Sequence, residues 1–399
     1  MAQRVHGFGT SIFSEMSALA LEHQAINLSQ GFPDFAGPAH VKQAAIDAIL
    51  ADHNQYAPSP GVPALRQAVV DTYRSAYGLA ASANEVTITC GATEALFATI
   101  LAVVNPGDEV ILFEPAYDSY APGVIMAGGV PRYVRLDPPQ AESDDAAWTF
   151  DPEALRAAFG PKTRAIIVNT PHNPTGKVFS RAELALIAEL CREHDVIAIA
   201  DEVYDRMIYV GEHLPLATLP GMWERTVTIN STGKTFSMTG WKIGYTIAPP
   251  PLTDAIRRVH QFSTFAIATP FQHAMAAALN AALHSSYYAE LLDFYRQRRD
   301  LLLDVLRDVG FAVVPPAGTY FVMVDLRDWG FATDVEFCRH LTTEIGVAAI
   351  PPSAFYVEPT TAPLMARFCF AKQIATLQAA AERLQKLAAR QPSRAGEHA

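Results

Sequence analysis

Short apolar runs that alternate with longer helical patterns constrain this chain more than any other feature. The runs are "EVTITC" (85–90), "DEVILFEP" (108–115), "RAIIVNT" (164–170), "VIAIADEVY" (196–204), "RTVTIN" (225–230) and "KIGYTIAP" (242–249). They are rich in Val and Ile and lack polar alternation, the mark of strands buried on both faces. Helical patterns such as "GATEALFATILAVV", "AYDSYAPGVIMAG" and "SRAELALIAELCREHD" fall between them. The alternation predicts an α/β architecture, with a mostly parallel central sheet covered by helices. Ligands of such sheets bind at the carboxyl ends of strands. The polar motifs of this chain cluster just beyond the apolar runs.

From about residue 285 the texture changes. A charged helix, "YYAELLDFYRQRRDLLLDVLRDVG", precedes "FAVVPPAGTYFVMVDL", a helix over 333–345, "VAAIPPSAFY", "MARFCFAK" and a last helix over 374–389. This predicts a smaller α+β domain. The first 35 residues are expected to be irregular and to pack against it. The expected division is a large domain over 36–284, a small domain made of 1–35 and 285–390, and a frayed polar tail at 391–399. A length of 399 residues accommodates two domains.

The net charge of -11 argues against a nucleic-acid partner, whose phosphates want a basic face, and leaves room for a local basic pocket. Cys90, Cys191, Cys338 and Cys369 are scattered without C-x-x-C spacing, which argues against a metal site or a disulfide framework. The N-terminus has no continuous apolar stretch of the signal-peptide kind, and nowhere do about 18 apolar residues run together. A cytoplasmic protein with no membrane partner is expected.

Four motifs carry chemistry, each with a plainer alternative. In "STGK", Ser231 to Lys234, a lysine closes a small polar turn after a buried strand. Burial there disfavours the ammonium and frees the amine as a nucleophile toward a carbonyl compound; the alternative is a surface lysine. Its Gly-Lys-Thr ending suggests a phosphate-binding loop, but Thr228 stands where that loop needs glycine. In "ADEVY", Asp201 ends an apolar strand, where an unpaired carboxylate is costly. It suits a protonated pyridine nitrogen, with Tyr204 beside it, or else it caps a helix or pairs with Arg206. "NTPHNPTG" (169–176) makes a rigid turn that holds the Asn173 amide toward a ligand, or is a loop without one. In "CGATEAL" (90–96), Gly91, Ala92 and Thr93 open a helix whose free N–H groups suit a phosphate, or form an ordinary cap.

In order and rough spacing these motifs, with a late arginine, resemble the class I/II aminotransferases, which are pyridoxal 5'-phosphate (PLP) enzymes of fold type I. The resemblance runs from "LSQGFPDF" near residue 30 to the helix ending near 389. "QGFPDF", "NQYAPSPG", "TPHNPTGKVF", "STGKTFSMTGWKIG", "GTYF" and "ARFCFAK" are similar to the methionine and kynurenine/glutamine aminotransferase branch. The resemblance implies that Lys234 carries PLP as a Schiff base, Asp201 pairs with the pyridine nitrogen, and Tyr204 and Asn173 bond the phenolic oxygen. Gly91, Ala92, Thr93, Ser231 and Lys242 hold the phosphate. Tyr117 stacks on the ring, with Tyr120 as the rival candidate. Tyr56 reaches the phosphate of a neighbouring subunit, which implies a homodimer with shared sites. Arg367 binds the substrate carboxylate, and Gly31 lets the backbone approach the substrate. Lys242 stands where the aspartate branch has arginine. Trp241 is a candidate pocket wall.

The expected activity is transfer of the amino group of a neutral or apolar amino acid (methionine, glutamine or an aromatic one, including kynurenine) to a 2-oxo acid in two ping-pong half-reactions, within amino-acid metabolism and biosynthesis. No arginine is identifiable for a side-chain carboxylate. Lys234 is the proton carrier and must be neutral for part of each cycle. Lys242 stays charged, and its nearness would help depress the Lys234 pKa. The alternatives are a β-lyase acting through the same cofactor, and a PLP-binding regulator, which the acidic chain and the lack of a helix-turn-helix extension disfavour.

Overall fold

The computed structural model describes residues 2–139 and 147–388. The expected tail at 391–399 lies outside them. Among the described residues twelve strands follow in chain order. β1 is Ile26–Asn27, β2 Val86–Cys90, β3 Glu109–Glu114, β4 Val130–Arg135, β5 Thr163–Asn169 and β6 Ile197–Asp201. β7 is Thr226–Ser231, β8 Ile243–Ile247, β9 Ala312–Val313, β10 Phe321–Asp325, β11 Val347–Ala348 and β12 Met365–Cys369.

Seven of these form one sheet in the order β2-β8-β7-β6-β5-β3-β4. The pairs β4–β3, β3–β5, β5–β6 and β6–β7 are parallel, while β8 is antiparallel to both β7 and β2. The predicted apolar runs are these strands, buried throughout at β6. β4 escaped the sequence reading because it is the sheet's edge: "VPRYVR" is largely exposed, and no continuous apolar run is needed there.

Helices complete the crossovers. Ser180 starts the helix Arg181–Glu193 with a capping box closed by Glu183, a device worth about 1 kcal/mol. The register brings strand ends to one edge: Cys90 lies opposite Ile243, Asn169 opposite Asp201, and Ser231 opposite Gly244. Because β8 runs the other way, its amino end, with Lys242, meets the carboxyl ends of β2, β5, β6 and β7.

The C-terminal part builds the sheet β12-β10-β9 against the long helix Tyr287–Val309 and the last helix Ile374–Ala388. The N-terminal segment is not irregular as expected. Ile12–Glu22 is a helix capped by Ser11, and β1 pairs in parallel with β11. Met16 and Leu28 are buried in the same core as Phe321, Phe337 and Phe368. Val203, Tyr204 and Met207, just beyond β6, bury there as well. No helix among the described residues is long and apolar enough to cross a membrane.

Candidate active site

A cavity of about 350 Å³ opens at the gathered strand ends. Gly31, Gly91, Ala92, Thr93, Tyr117, Asn173, Asp201, Tyr204, Ser231, Lys234, Lys242 and Arg367 all line it. Of the residues singled out in the sequence, Tyr56 and Trp241 lie outside it. Tyr56 is 84% exposed with its ring against Phe265. Trp241 does not line this cavity; it stacks flat on Phe271 with ring centroids 4.6 Å apart.

The phosphate-sized end is a tight backbone turn. Gly91 has φ +66°, and a Cβ there would lie 3.0 Å from Lys242 Nζ. A Cβ on Gly244 would come within 2.3 Å of the Gly91 backbone, so β8 reaches the turn only with glycine. Lys242 Nζ lies 3.5 Å from Thr93 Oγ1. Gly91–Val103 then runs back as a helix with its N-terminus at the cavity.

Lys234 follows β7 in a single helical turn, Thr232–Thr235. Its Nζ donates to the Tyr320 hydroxyl at 2.9 Å and to the Gly31 carbonyl at 3.2 Å. Burial pushes this amine down to about 8 from its ordinary 10.5; Cys369 and Asp201 oppose the shift, and Lys242 and Arg367 add to it. In the turn with two lysines, burial makes one easier to deprotonate, and the charge of the other adds to that shift.

Asp201 is 4% exposed at the end of β6. It accepts from the Tyr120 hydroxyl at 2.7 Å and from the Val203 N–H at 3.3 Å. Burial raises its carboxyl to about 6, against those hydrogen bonds and Lys234. Among the described residues no cation pairs with it directly. Arg206, offered as a partner in the sequence, instead pairs with Asp205 at 3.3 Å and lies over the Tyr288 ring. Tyr120 and Tyr117 both line the cavity. Tyr120 donates to Asp201, while Tyr117 stands edge-on to Tyr120, its hydroxyl pushed up to about 12 by burial, with Asp118 adding. Burial likewise raises the Tyr204 hydroxyl.

Asn173 joins the two sides. Its N–H donates to Asn169 Oδ1 at 2.7 Å, and its own Oδ1 accepts from Arg367 Nη1 at 2.7 Å. Arg367, 1% exposed on β12, also donates through Nη2 to the Ser29 carbonyl. Its guanidinium lies 4.0 Å from the Phe321 ring centre, with Phe13 and Phe355 within 5.3 Å, and Nε has no partner. Gly31 meets a packing demand beside the one expected. A Cβ there would strike Phe321 at 2.8 Å, and its carbonyl is bound by Lys234 and Tyr320.

Sequence reasoning missed Phe13, Gln30, Asn169, Tyr320 and Phe321 as cavity or hydrogen-bond partners. Asn169 and Tyr320 stand inside the quoted "NTPHNPTG" and "GTYF", where the motif itself was the signal. Phe13 carried none, since its segment offered no repeat or turn to mark it.

These residues fit PLP. The glycine turn and Lys242 match a phosphate, the buried carboxylate without a cation matches a pyridinium, and an amine whose pKa burial lowers matches an aldehyde. Fold and site together define an α/β enzyme built around such a cofactor. A sequence model described as "Aminotransferase class I and II" matches residues 23–384. The chain is 45% identical over 381 residues to the methionine aminotransferase of Escherichia coli (strain K12), covering 95% of this chain and 96% of that protein. It is 43% identical to the kynurenine–oxoglutarate transaminase of Dictyostelium discoideum, covering 97% and 96%. The structure of N-succinyldiaminopimelate aminotransferase from Mycobacterium tuberculosis superposes with a TM-score of 0.92 at 43% identity, covering 97% of this chain and 100% of that one. The chain belongs to the class I and II aminotransferases, and it is a PLP-dependent transaminase.

Proposed function

We propose that this transaminase takes its amino group from a neutral, largely apolar amino acid, of the methionine, glutamine or aromatic kind including kynurenine, and gives it to a 2-oxo acid. One observation carries this reading. The chain's own cavity lining contains three cationic side chains, Lys234, Lys242 and Arg367. The reaction uses Lys234, the phosphate occupies Lys242, and the α-carboxylate occupies Arg367, which leaves no arginine of this chain for a second carboxylate. Phe13 and Phe321 flank Arg367 instead. The relatives named for methionine and kynurenine support the same class.

When bound, PLP supplies an electron sink and carries the amino group between the two half-reactions. Gly91, Ala92, Thr93, Ser231 and Lys242 hold its phosphate, Asp201 keeps its ring nitrogen protonated, and Asn173 and Tyr204 bond its phenolic oxygen. Tyr117 covers the ring. Arg367 holds the substrate carboxylate bidentately and so orients the Cα–H bond toward Lys234. Lys234 Nζ, whose pKa burial lowers to about 8, would take up and hold the Cα proton.

The 84% exposed Tyr56 ring, with Phe265 beside it, supports a homodimer in which Tyr56 serves the neighbouring site. A two-part chain, 36–284 against 1–35 with 285–390, and a cytoplasmic location complete the reading. Mixing the holo-protein with single amino acids and following loss of the visible cofactor band tests it. Methionine, glutamine, phenylalanine and kynurenine should react faster than aspartate and glutamate. A dicarboxylic donor reacting fastest would overturn the substrate class.

A further inference from the structure

Behind the Gly91–Thr93 turn lies a buried acid–base pair that no step above uses. Glu94 is in the first turn of the helix Gly91–Val103, and one carboxylate oxygen accepts from the Cys90 N–H. The other faces His260 Nδ1 at 2.7 Å. His260 is fully buried on the helix Pro250–Ser263, and its Nε2 lies 2.9 Å from the Ser59 carbonyl oxygen. A carbonyl only accepts, so Nε2 carries a proton, and a second proton lies between Nδ1 and the carboxylate. The pair is therefore neutral as a unit. Burial pushes the Glu94 carboxyl up, but hydrogen bonds from His260, Cys90 and Thr264 outweigh it and hold the group below its ordinary value.

Two demands conflict at this helix end. A carboxylate that accepts from the Cys90 N–H fixes the turn from which the next N–H groups point into the cavity. A lone negative charge one residue after Thr93 also repels the phosphate dianion that the helix N-terminus attracts. Other cations nearby do not resolve this. Lys242 stands on the cavity side of Thr93, and Arg257, on the same helix as His260, bonds Thr87, Asn84 and Val86 instead. We propose that His260 is a positioning residue for the cofactor phosphate: it neutralises Glu94 while holding it on the Cys90 N–H, so that a carboxylate shapes the turn without repelling the ligand. Through the Ser59 carbonyl it also ties the 58–61 loop to the same point. This rests on the reading of Gly91–Thr93 as the phosphate cradle.

The test compares His260→Gln, Glu94→Gln and the double variant, using titration of PLP into resolved protein with inorganic phosphate as a competing probe. His260→Gln should weaken both ligands by about tenfold or more, the size of an uncompensated charge at a partly buried helix terminus. Glu94→Gln should stay within about threefold of the parent, because the amide still accepts from Cys90 and donates to a neutral Nδ1. The double variant should recover most of the loss. A pair that serves only packing predicts that both single variants weaken binding and that the double variant is no tighter than His260→Gln; either result overturns the proposal. If His260→Gln fails to fold, Glu94→Gln alone decides, since more than about threefold weakening contradicts charge compensation. Lys242→Gln and Thr93→Val serve as the separate control. If neither weakens inorganic phosphate, the cradle reading itself fails, whatever the pair does.

Discussion

Asp201 and Arg367 face one cavity from opposite walls, and both are buried ions whose hydrogen bonds within the chain go to neutral groups. Asp201 meets a phenol and an N–H; Arg367 meets an amide and a carbonyl and lies among phenyl rings. Each wall therefore keeps a charge that a ligand of opposite sign would stabilise, a cationic ring nitrogen on one side and a carboxylate on the other. The walls differ in how they are made. The sheet wall comes from adjacent strand ends in fixed register. The opposite wall draws Phe13, Gln30, Gly31, Phe321 and Arg367 from the N- and C-terminal parts of the chain. On the proposed reading, the first holds the cofactor and the second takes and releases substrates.

The comparison breaks most sharply at Lys234, which touches both walls. Lys234→Ala should lower transamination by about 10⁴-fold or more, the upper range of general acid–base catalysis. Near-normal turnover, or borohydride labelling of Lys242 in its place, would reverse the assignment. On the sheet wall, Asp201→Asn should cost about 10–10³-fold in kcat, the span of a one-to-three-unit shift at the ring nitrogen. The visible band should also shift without loss of the cofactor. On the opposite wall, Arg367→Lys should raise KM about 10–100-fold and leave the cofactor spectrum alone, as expected for loss of a charge-assisted hydrogen bond. A spectral change there, or a pure kcat effect, would blur the division.

The smallest effect concerns stability without cofactor. The Lys234 pKa falls to about 8 on folding, from an ordinary 10.5, so between these values the unfolded chain binds more protons. Stability should rise as pH climbs through that window. The Asp201 pKa rises from 3.8 to about 6, so the folded chain binds more protons there, and stability should fall as pH rises through that interval. At pH 7 both groups oppose folding. Lys234→Met should therefore raise the thermal stability of the cofactor-free protein, by on the order of 1 kcal/mol, and flatten the alkaline limb only. Asp201→Asn should flatten the acid limb only. A Lys234→Met protein that is less stable at pH 7 would contradict the buried-charge account.

Much of the sheet wall was legible before any fold was known. Strand runs such as "VIAIAD" end in a polar residue, and that residue, Asp201, lines the cavity at the carboxyl end of its strand. Edge strand Val130–Arg135 and helix Ile12–Glu22 were not legible. The first lacks a continuous apolar run, and the second has its apolar spacing in a segment whose packing partner lies more than 300 residues later in the core of β10 and β12. The Glu94–His260 pair was silent for the same reason, with its members on separate helices.

Local chemistry thus specified which residues end each buried strand: a glycine that permits a positive φ, an aspartate, a lysine after a short turn. Those choices depend on neighbours in the chain, where burial and turn geometry are written residue by residue. Which tyrosine holds Asp201, how far the Lys234 amine is driven toward neutrality, and which rings surround Arg367 depend on side chains brought together from distant segments. Desolvation and Coulomb interaction act through space, so these properties arise only once the sheet edge and the two termini close on the same cavity.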